Sequence, residues 1–137
     1  MRKKQFFKAS LESLKSVRQF IFHIIAPKIE DRDTVDQIIL AVDEAATNII
    51  KHALEYDSLK EFLIDVETNS KKILIRLIDD GPPFNDKTVP LPNIEKNIKN
   101  KKRGGLGIYM MKQTMDEVNF SRKAGKNYTE MIKYCKH

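Results

Sequence analysis

Three polar side chains recur at every fourth position within a largely apolar stretch of this sequence: Glu44, Asn48 and His52. On an α-helix, positions four apart lie on one face, rotated by about 40° from one another. A carboxylate can take a proton, a carboxamide oxygen can coordinate a hard cation, and an imidazole titrates near neutral pH. Such a row at the edge of a buried helix face could line a pocket, or it could mark where the solvent-exposed face begins.

Two short glycine-containing segments could also carry chemistry. Asp79–Phe84 (DDGPPF) directly follows a strand-like run, and Arg103–Gly107 (RGGLG) opens a run with helical periodicity. Glycines at a helix N-terminus let backbone N–H groups approach an anion such as a phosphate. No Gly-Lys-Ser/Thr follows, and no strand precedes RGGLG, so it is neither a Walker loop nor a dinucleotide fingerprint. Each segment by itself is weak evidence for a ligand-binding site.

The polar row belongs to a predicted helix from Asp33 to Leu54, capped by Asp31 or Asp33. Its apolar residues fall within an arc of about 140° and are expected to face the core. They are Val35, Ile38, Ile39, Val42, Ala45, Ala46, Ile49, Ile50 and Ala53. This helix is the element that must position Glu44 and Asn48.

The other elements are predicted from periodicity. One helix follows a Ser10 cap and ends before Pro27, and another follows Gly107. Strands are expected at 3–8, 61–68, 72–78, 118–122 and 127–135. Helices beside antiparallel hairpins predict an α+β two-layer sandwich. Residues 85–103 have no sustained period, which is typical of a functional or mobile loop.

Composition narrows the class of protein. The chain has 137 residues, 41% of them hydrophobic, and one cysteine, which suits a single domain without an internal disulfide. No stretch predicts a signal peptide or a membrane span, so we expect a cytoplasmic protein that does not bind membranes. The net charge of +6 raises nucleic acid as a partner, but the basic clusters have no interleaved aromatic residues. We therefore expect no direct nucleic-acid binding.

Taken together and in this order, VDEAATNIIKHAL, DDGPPF and RGGLGIYMMKQTMDEV resemble the N-box and the two glycine boxes of the GHKL or Bergerat-fold ATPases. The chain is most similar to the stand-alone anti-sigma-factor serine/threonine kinases (RsbW-like), over about Ser10 to Lys133. Pro83 stands where the first glycine box usually has a second glycine, a form frequent in that subfamily. The resemblance implies helices on one face of a mixed, mostly antiparallel sheet.

The resemblance also implies roles for individual residues. Asn48 would be the Mg²⁺ ligand, and Glu44 would orient or deprotonate the attacking hydroxyl. Asp79 would accept a hydrogen bond from the exocyclic amine of adenine, so ATP rather than GTP is expected. Gly81 would let the base approach the backbone. For His52 the resemblance supplies no chemistry, and a buried histidine is expected.

The second glycine box and the late strand complete the expected site. The phosphates would be held by Gly104, Gly105, Leu106 and Gly107. Arg103 would touch the terminal phosphate or the partner, and a flexible ATP lid would span about 85–104. Thr129 would place a hydroxyl near the adenine.

The expected function is transfer of the γ-phosphoryl group of ATP to a serine or threonine of a STAS-domain anti-anti-sigma protein. The alternative is a nucleotide-gated protein that sequesters a sigma factor or another regulator with little turnover. Glu44 favours the kinase, since ATP binding does not require it. A homodimer is also implied, with the strand at Phe6-Phe7 and the helix over 10–26 as candidate surfaces.

Overall fold

The computed structural model describes residues 1–83 and 103–135, and only the backbone of residues 103–107. Three helices are present in this part of the chain: α1 (Ser13–Ile25), α2 (Arg32–Asn48) and α3 (Arg103–Thr114). The strands are β1 (Arg2–Lys8), β2 (Glu61–Thr68), β3 (Lys72–Asp79), β4 (Glu117–Lys123) and β5 (Lys126–Tyr134). A 3₁₀ turn (Ala26–Lys28) follows α1, and a π-helical turn (Ile49–Ala53) continues α2.

The strands form one sheet in the order β1-β2-β3-β5-β4. The expected α+β sandwich is confirmed, but the sheet is not mixed: every strand pair in the described residues is antiparallel. The helices pack on the face that carries Ile64, Ile75, Leu77 and Met131, all of them fully buried. In the described ranges no helix is both long and apolar enough to cross a bilayer.

Helix α2 and the π-helical turn that continues it bury the arc that the sequence predicts. Most of its apolar positions are in the core, while Ile39 and Ala53 are only partly buried and Ala41 is an additional core residue. Asp31 caps the helix, accepting hydrogen bonds from the Asp33 N–H (3.2 Å) and the Thr34 hydroxyl (2.7 Å). The Thr34 hydrogen bond is the main reason that the pKa of Asp31 is lowered.

Two predicted details at β1 and α1 are wrong. Helix α1 begins at Ser13, because Ser10 accepts a hydrogen bond from the Glu12 N–H (3.3 Å) in a turn that precedes the helix. The Phe6-Phe7 pair does not form an apolar surface. Phe7 is buried against Phe20 and Phe62, and only Phe6, which is 63% exposed, faces solvent at the sheet edge.

An ion pair between the half-exposed Arg2 and the buried Asp65 lies on the sheet face that the helices do not cover. The Arg2 guanidinium donates to both carboxylate oxygens of Asp65, at 3.0 and 2.8 Å, and Arg76 lies 3.6 Å from the same carboxylate. The Asp65 side chain is 3% exposed. Chiefly because of the Arg2 hydrogen bond, the pKa of Asp65 is lowered. This pair fixes the edge strand β1 to β2.

Candidate functional site

A cavity of about 270 Å³ opens between the C-terminal end of α2, the end of β3, α3 and the β4–β5 hairpin. Its wall is mostly apolar, with a few polar groups. The lining residues are Ala45, Asn48, Ile49, His52, Ala53, Asp79, Pro82, Pro83, Met111, Phe120, Ser121, Asn127, Tyr128 and Thr129. A small apolar cavity with few convergent polar groups is the usual form of a ligand site.

Residues from three distant parts of the sequence meet at this cavity. Asn48 is the last residue of α2, Asp79 is the last residue of β3, and Thr129 lies within β5 opposite Leu77. Glu44 lies one helical turn before Asn48 and is half-buried, but it is not among the described residues that line the cavity.

His52 does not have the environment expected from the sequence. Its side chain is exposed and lies at the edge of the same cavity, so the expectation of a buried histidine is wrong. The physical reason is the π-helical turn, Ile49–Ala53, which widens the helix just after Asn48. A wider turn changes the angular position of every later side chain.

The carboxylate of Asp79 is held by its own turn. Asp79 is 5% exposed, and its Oδ1 accepts hydrogen bonds from the Gly81 N–H (2.9 Å) and from the Asn127 side-chain amide (3.0 Å). Within the described part of the chain, Oδ2 accepts no hydrogen bond. One oxygen is therefore saturated by the protein, and the other is left for whatever occupies the cavity.

Gly81 is required by close packing against the π-helical turn. A Cβ at this position would lie 2.7 Å from the Ala53 carbonyl oxygen and 2.9 Å from the Ala53 Cβ. Both distances are shorter than a non-bonded contact of a carbon atom, so a side chain at this position would displace its neighbour. Because Ala53 lines the cavity and Gly81 follows Asp79, this contact fixes the distance between two walls of the site.

Two residues that the sequence analysis did not single out stabilise the turn that follows Asp79. The Asn127 side-chain amide donates to the Asp79 carboxylate and to the Pro82 carbonyl (2.8 Å), and its oxygen accepts from Arg122 (2.9 Å). Arg122 also donates to the Gly81 carbonyl, at 3.1 Å. Asn127, Thr129 and Met131 are two residues apart along β5, so their side chains lie on the same, core-facing side of the strand. A polar asparagine on that side was the sequence signal that could have identified Asn127.

Comparison with known proteins identifies the family of the chain. Residues 7–133 match the family model of the histidine kinase-like ATPase domain. The chain belongs to that family.

Relatives of this histidine kinase-like ATPase include the serine-protein kinases RsbW of Staphylococcus aureus strains JH9 and Newman. Each is 29% identical over 133 residues, which cover 93% of this chain and 83% of the relative. A solved structure of the RsbU and RsbW domains of Rv1364c from Mycobacterium tuberculosis aligns with a TM-score of 0.69 at 15% identity. The alignment covers 97% of this chain and 32% of that one, and at this identity it establishes the fold.

The remaining expected site residues of this histidine kinase-like ATPase lie at the start of α3. The helix begins at Arg103, so Gly104, Gly105, Leu106 and Gly107 form the backbone of its first turns. Their side chains and residues 84–102, which contain most of the expected lid, lie outside the described residues. The phosphate-binding roles expected of this segment therefore stay predictions.

The donor groups of the site are compatible with Mg²⁺. In the described ranges, no three His, Cys, Asp or Glu side chains cluster closely enough to hold a metal ion. Mg²⁺ does not need such a cluster, since it usually keeps several waters and takes one or two protein oxygens together with substrate phosphates. The Asn48 carboxamide at the cavity supplies an oxygen of this kind.

Proposed function

We propose that this histidine kinase-like ATPase is a single-domain, cytoplasmic serine/threonine protein kinase of the anti-sigma-factor type. It would transfer the γ-phosphoryl group of ATP to a STAS-domain anti-anti-sigma protein, and a sigma factor would be its second partner. The observation that carries the proposal is the meeting of Asn48, Asp79 and Thr129 at one cavity in a chain similar to serine-protein kinase RsbW.

The cavity suits an adenine ring. Its apolar walls include Ile49, Met111 and Phe120, which can contact the faces and edges of a flat heterocycle. The unsaturated Oδ2 of Asp79 can accept a hydrogen bond from the 6-amino group of adenine. Guanine has a carbonyl at that position, and two acceptors facing each other repel. The Thr129 hydroxyl provides a second polar contact with the base. ATP would therefore be preferred over GTP.

The catalytic end lies toward Asn48 and the start of α3. Asn48 would hold Mg²⁺, which when bound neutralises charge on the phosphates. Glu44 would take the proton of the partner's serine or threonine hydroxyl as its oxygen bonds to the γ-phosphorus and the bond to ADP breaks. Arg103 and the backbone of Gly104, Gly105, Leu106 and Gly107 would hold the phosphates at a helix N-terminus.

One observation favours the second candidate function, a nucleotide-gated protein that sequesters a sigma factor or another regulator. Glu44 is not among the described residues that line the cavity, so ATP can occupy the cavity without the proposed base. The kinase remains our proposal, because the partner's hydroxyl would approach from outside the cavity, one helical turn beyond Asn48.

A transfer assay separates these functions. The protein is incubated with Mg²⁺, γ-labelled ATP and a STAS-domain protein, and label on the STAS protein is measured. We expect E44Q to bind ATP normally and to lose transfer by about a hundredfold or more, and N48A to lose both. The matched control is D43N, which removes the neighbouring carboxylate that pairs with Arg18 at 2.8 Å. Equal labelling by wild type and E44Q would show that Glu44 has no part in phosphoryl transfer.

We also propose that the protein forms a homodimer. Because Phe7 is buried, the apolar contribution of β1 to such an interface reduces to Phe6. Leu11 lies close in sequence and is 47% exposed, so Phe6 and Leu11 are two exposed apolar groups of the N-terminal segment.

A further inference from the structure

A row of polar residues crosses three adjacent strands at one end of the cavity. Asp79 on β3 pairs directly with Asn127 on β5, and Asn127 pairs directly with Arg122 on β4. Directly paired residues of antiparallel strands point to the same face of a sheet. The three side chains therefore lie side by side, with the carboxylate at one end and the guanidinium at the other.

The orientation of the Asn127 carboxamide is determined by its neighbours. Arg122 can only donate, so the oxygen of the amide must face it, at 2.9 Å. The amide nitrogen then faces three acceptors: Asp79 Oδ1 at 3.0 Å, the Pro82 carbonyl at 2.8 Å and the Gly81 carbonyl at 3.3 Å. Asn127 is 4% exposed, so water has little access to replace these bonds.

This arrangement decides which oxygen of Asp79 is available. The Asn127 amide and the Gly81 N–H both donate to Oδ1, which leaves Oδ2 without a donor in the described part of the chain. If the amide were removed, the carboxylate could rotate about its terminal torsion, which is broad and two-fold. Either oxygen could then face the cavity, and neither would be fixed.

We propose that Asn127, held by Arg122, is a positioning residue that sets the base specificity of the site by presenting Oδ2 of Asp79 to the 6-amino group of the purine. This inference rests on the proposed ATP-binding function. It assigns to the Asp79–Asn127–Arg122 row the discrimination between a 6-amino and a 6-oxo purine, and not the affinity for nucleotides in general.

The test compares ATP with inosine triphosphate, which differs at position 6 of the base, by calorimetry on the full chain with Mg²⁺. In N127A we expect the preference for ATP over inosine triphosphate to fall by about tenfold, the loss of one hydrogen bond to a charged group, while the affinity for inosine triphosphate changes little. A purely structural role would weaken both nucleotides equally. The matched control is N119A, since Asn119 lies on β4 and is exposed.

A second variant keeps the inference testable if N127A does not fold. R122M removes the donor that orients the amide, together with the hydrogen bond to the Gly81 carbonyl. We expect it to lower the same preference by roughly threefold. An unchanged preference in both N127A and R122M, or equal weakening of the two nucleotides, would overturn the inference while leaving ATP binding intact. Absence of ATP binding by the wild-type chain would instead overturn the proposed function on which it rests.

Discussion

The α-carbon of Gly81 is packed so closely against Ala53 that a methyl group on it would lie 2.7 Å from the Ala53 carbonyl oxygen. This contact joins the turn that carries Asp79 to the π-helical turn that follows Asn48. The two polar groups proposed to hold the two ends of a nucleotide are thus held at a fixed separation by backbone packing.

Substituting Gly81 by alanine should therefore affect both stability and binding. Because the obstructing atom belongs to the backbone, the turn must move, and we expect G81A to lower the free energy of unfolding by about 1–3 kcal/mol and to weaken ATP binding. Urea unfolding and calorimetry measure the two effects. The double variant A53G/G81A should not regain stability or ATP binding, since the carbonyl oxygen of residue 53 remains. Full recovery would show that the side chain, and not the backbone, is the obstacle.

The Thr129 hydroxyl is expected to contribute to base binding but not to folding. T129V keeps the shape of the side chain and removes its hydrogen-bonding group, so ATP affinity should fall by about three- to tenfold. The matched control is T68V, because the Thr68 hydroxyl is buried without a hydrogen-bond partner in the described part of the chain. T68V should leave ATP binding unchanged and should not lower stability. If T129V bound ATP as tightly as wild type, the hydroxyl would have no contact with the base.

The Arg2–Asp65 pair predicts a pH dependence of stability. Since Arg2 lowers the pKa of Asp65 in the folded state, the pair stabilises the fold fully above the unfolded carboxyl pKa of about 4. That stabilisation is lost as the pH falls through the lower folded value. The unfolding free energies of wild type and R2M should therefore differ by a constant amount between about pH 5 and pH 8 and should converge in more acidic solution.

A comparison of unfolding curves at several pH values checks this prediction. The control is R32M, because Arg32 pairs with Asp36 at the surface, where the Asp36 side chain is 59% exposed. Exposed pairs contribute little, so R32M should show a small difference that hardly changes with pH. A difference in unfolding free energy between wild type and R2M that increases in acid would contradict the stabilising role assigned to the Arg2–Asp65 pair.

The proposed homodimer can be tested at Phe6. A carboxylate in place of an exposed aromatic side chain at an apolar contact is costly, so F6D should shift the protein from dimer to monomer in light scattering. The control is L59D, because Leu59 is 93% exposed and belongs to the segment before β2 and not to β1. Wild-type protein that is monomeric at every concentration would rule out the homodimer.

Periodicity predicted most of the fold because the signals were local. The α2 arc and the Asp31 cap depend on residues a few positions apart. The π-helical turn was not predictable in this way, because its residues would suit an α-helix equally well. Its last residue, Ala53, packs against Gly81, which is distant in sequence.

The candidate site was predicted residue by residue only where a motif existed. Asn48, Asp79 and Thr129 came from the resemblance, and the structure brings them to one cavity. Asn127 and Arg122 belong to no motif, and their link to Asp79 requires the order β3-β5-β4 and its register. Strand order and register depend on long-range pairing, which a single sequence does not encode locally.

The most direct test of the account is calorimetric titration of the wild-type chain and of D79N with Mg-ATP and Mg-GTP. We predict that the wild-type chain binds ATP more tightly than GTP, and that D79N, which keeps the shape of the side chain but removes its charge, loses most of that preference. No heat of binding with ATP, or the same preference in D79N as in wild type, would contradict a purine site at Asp79.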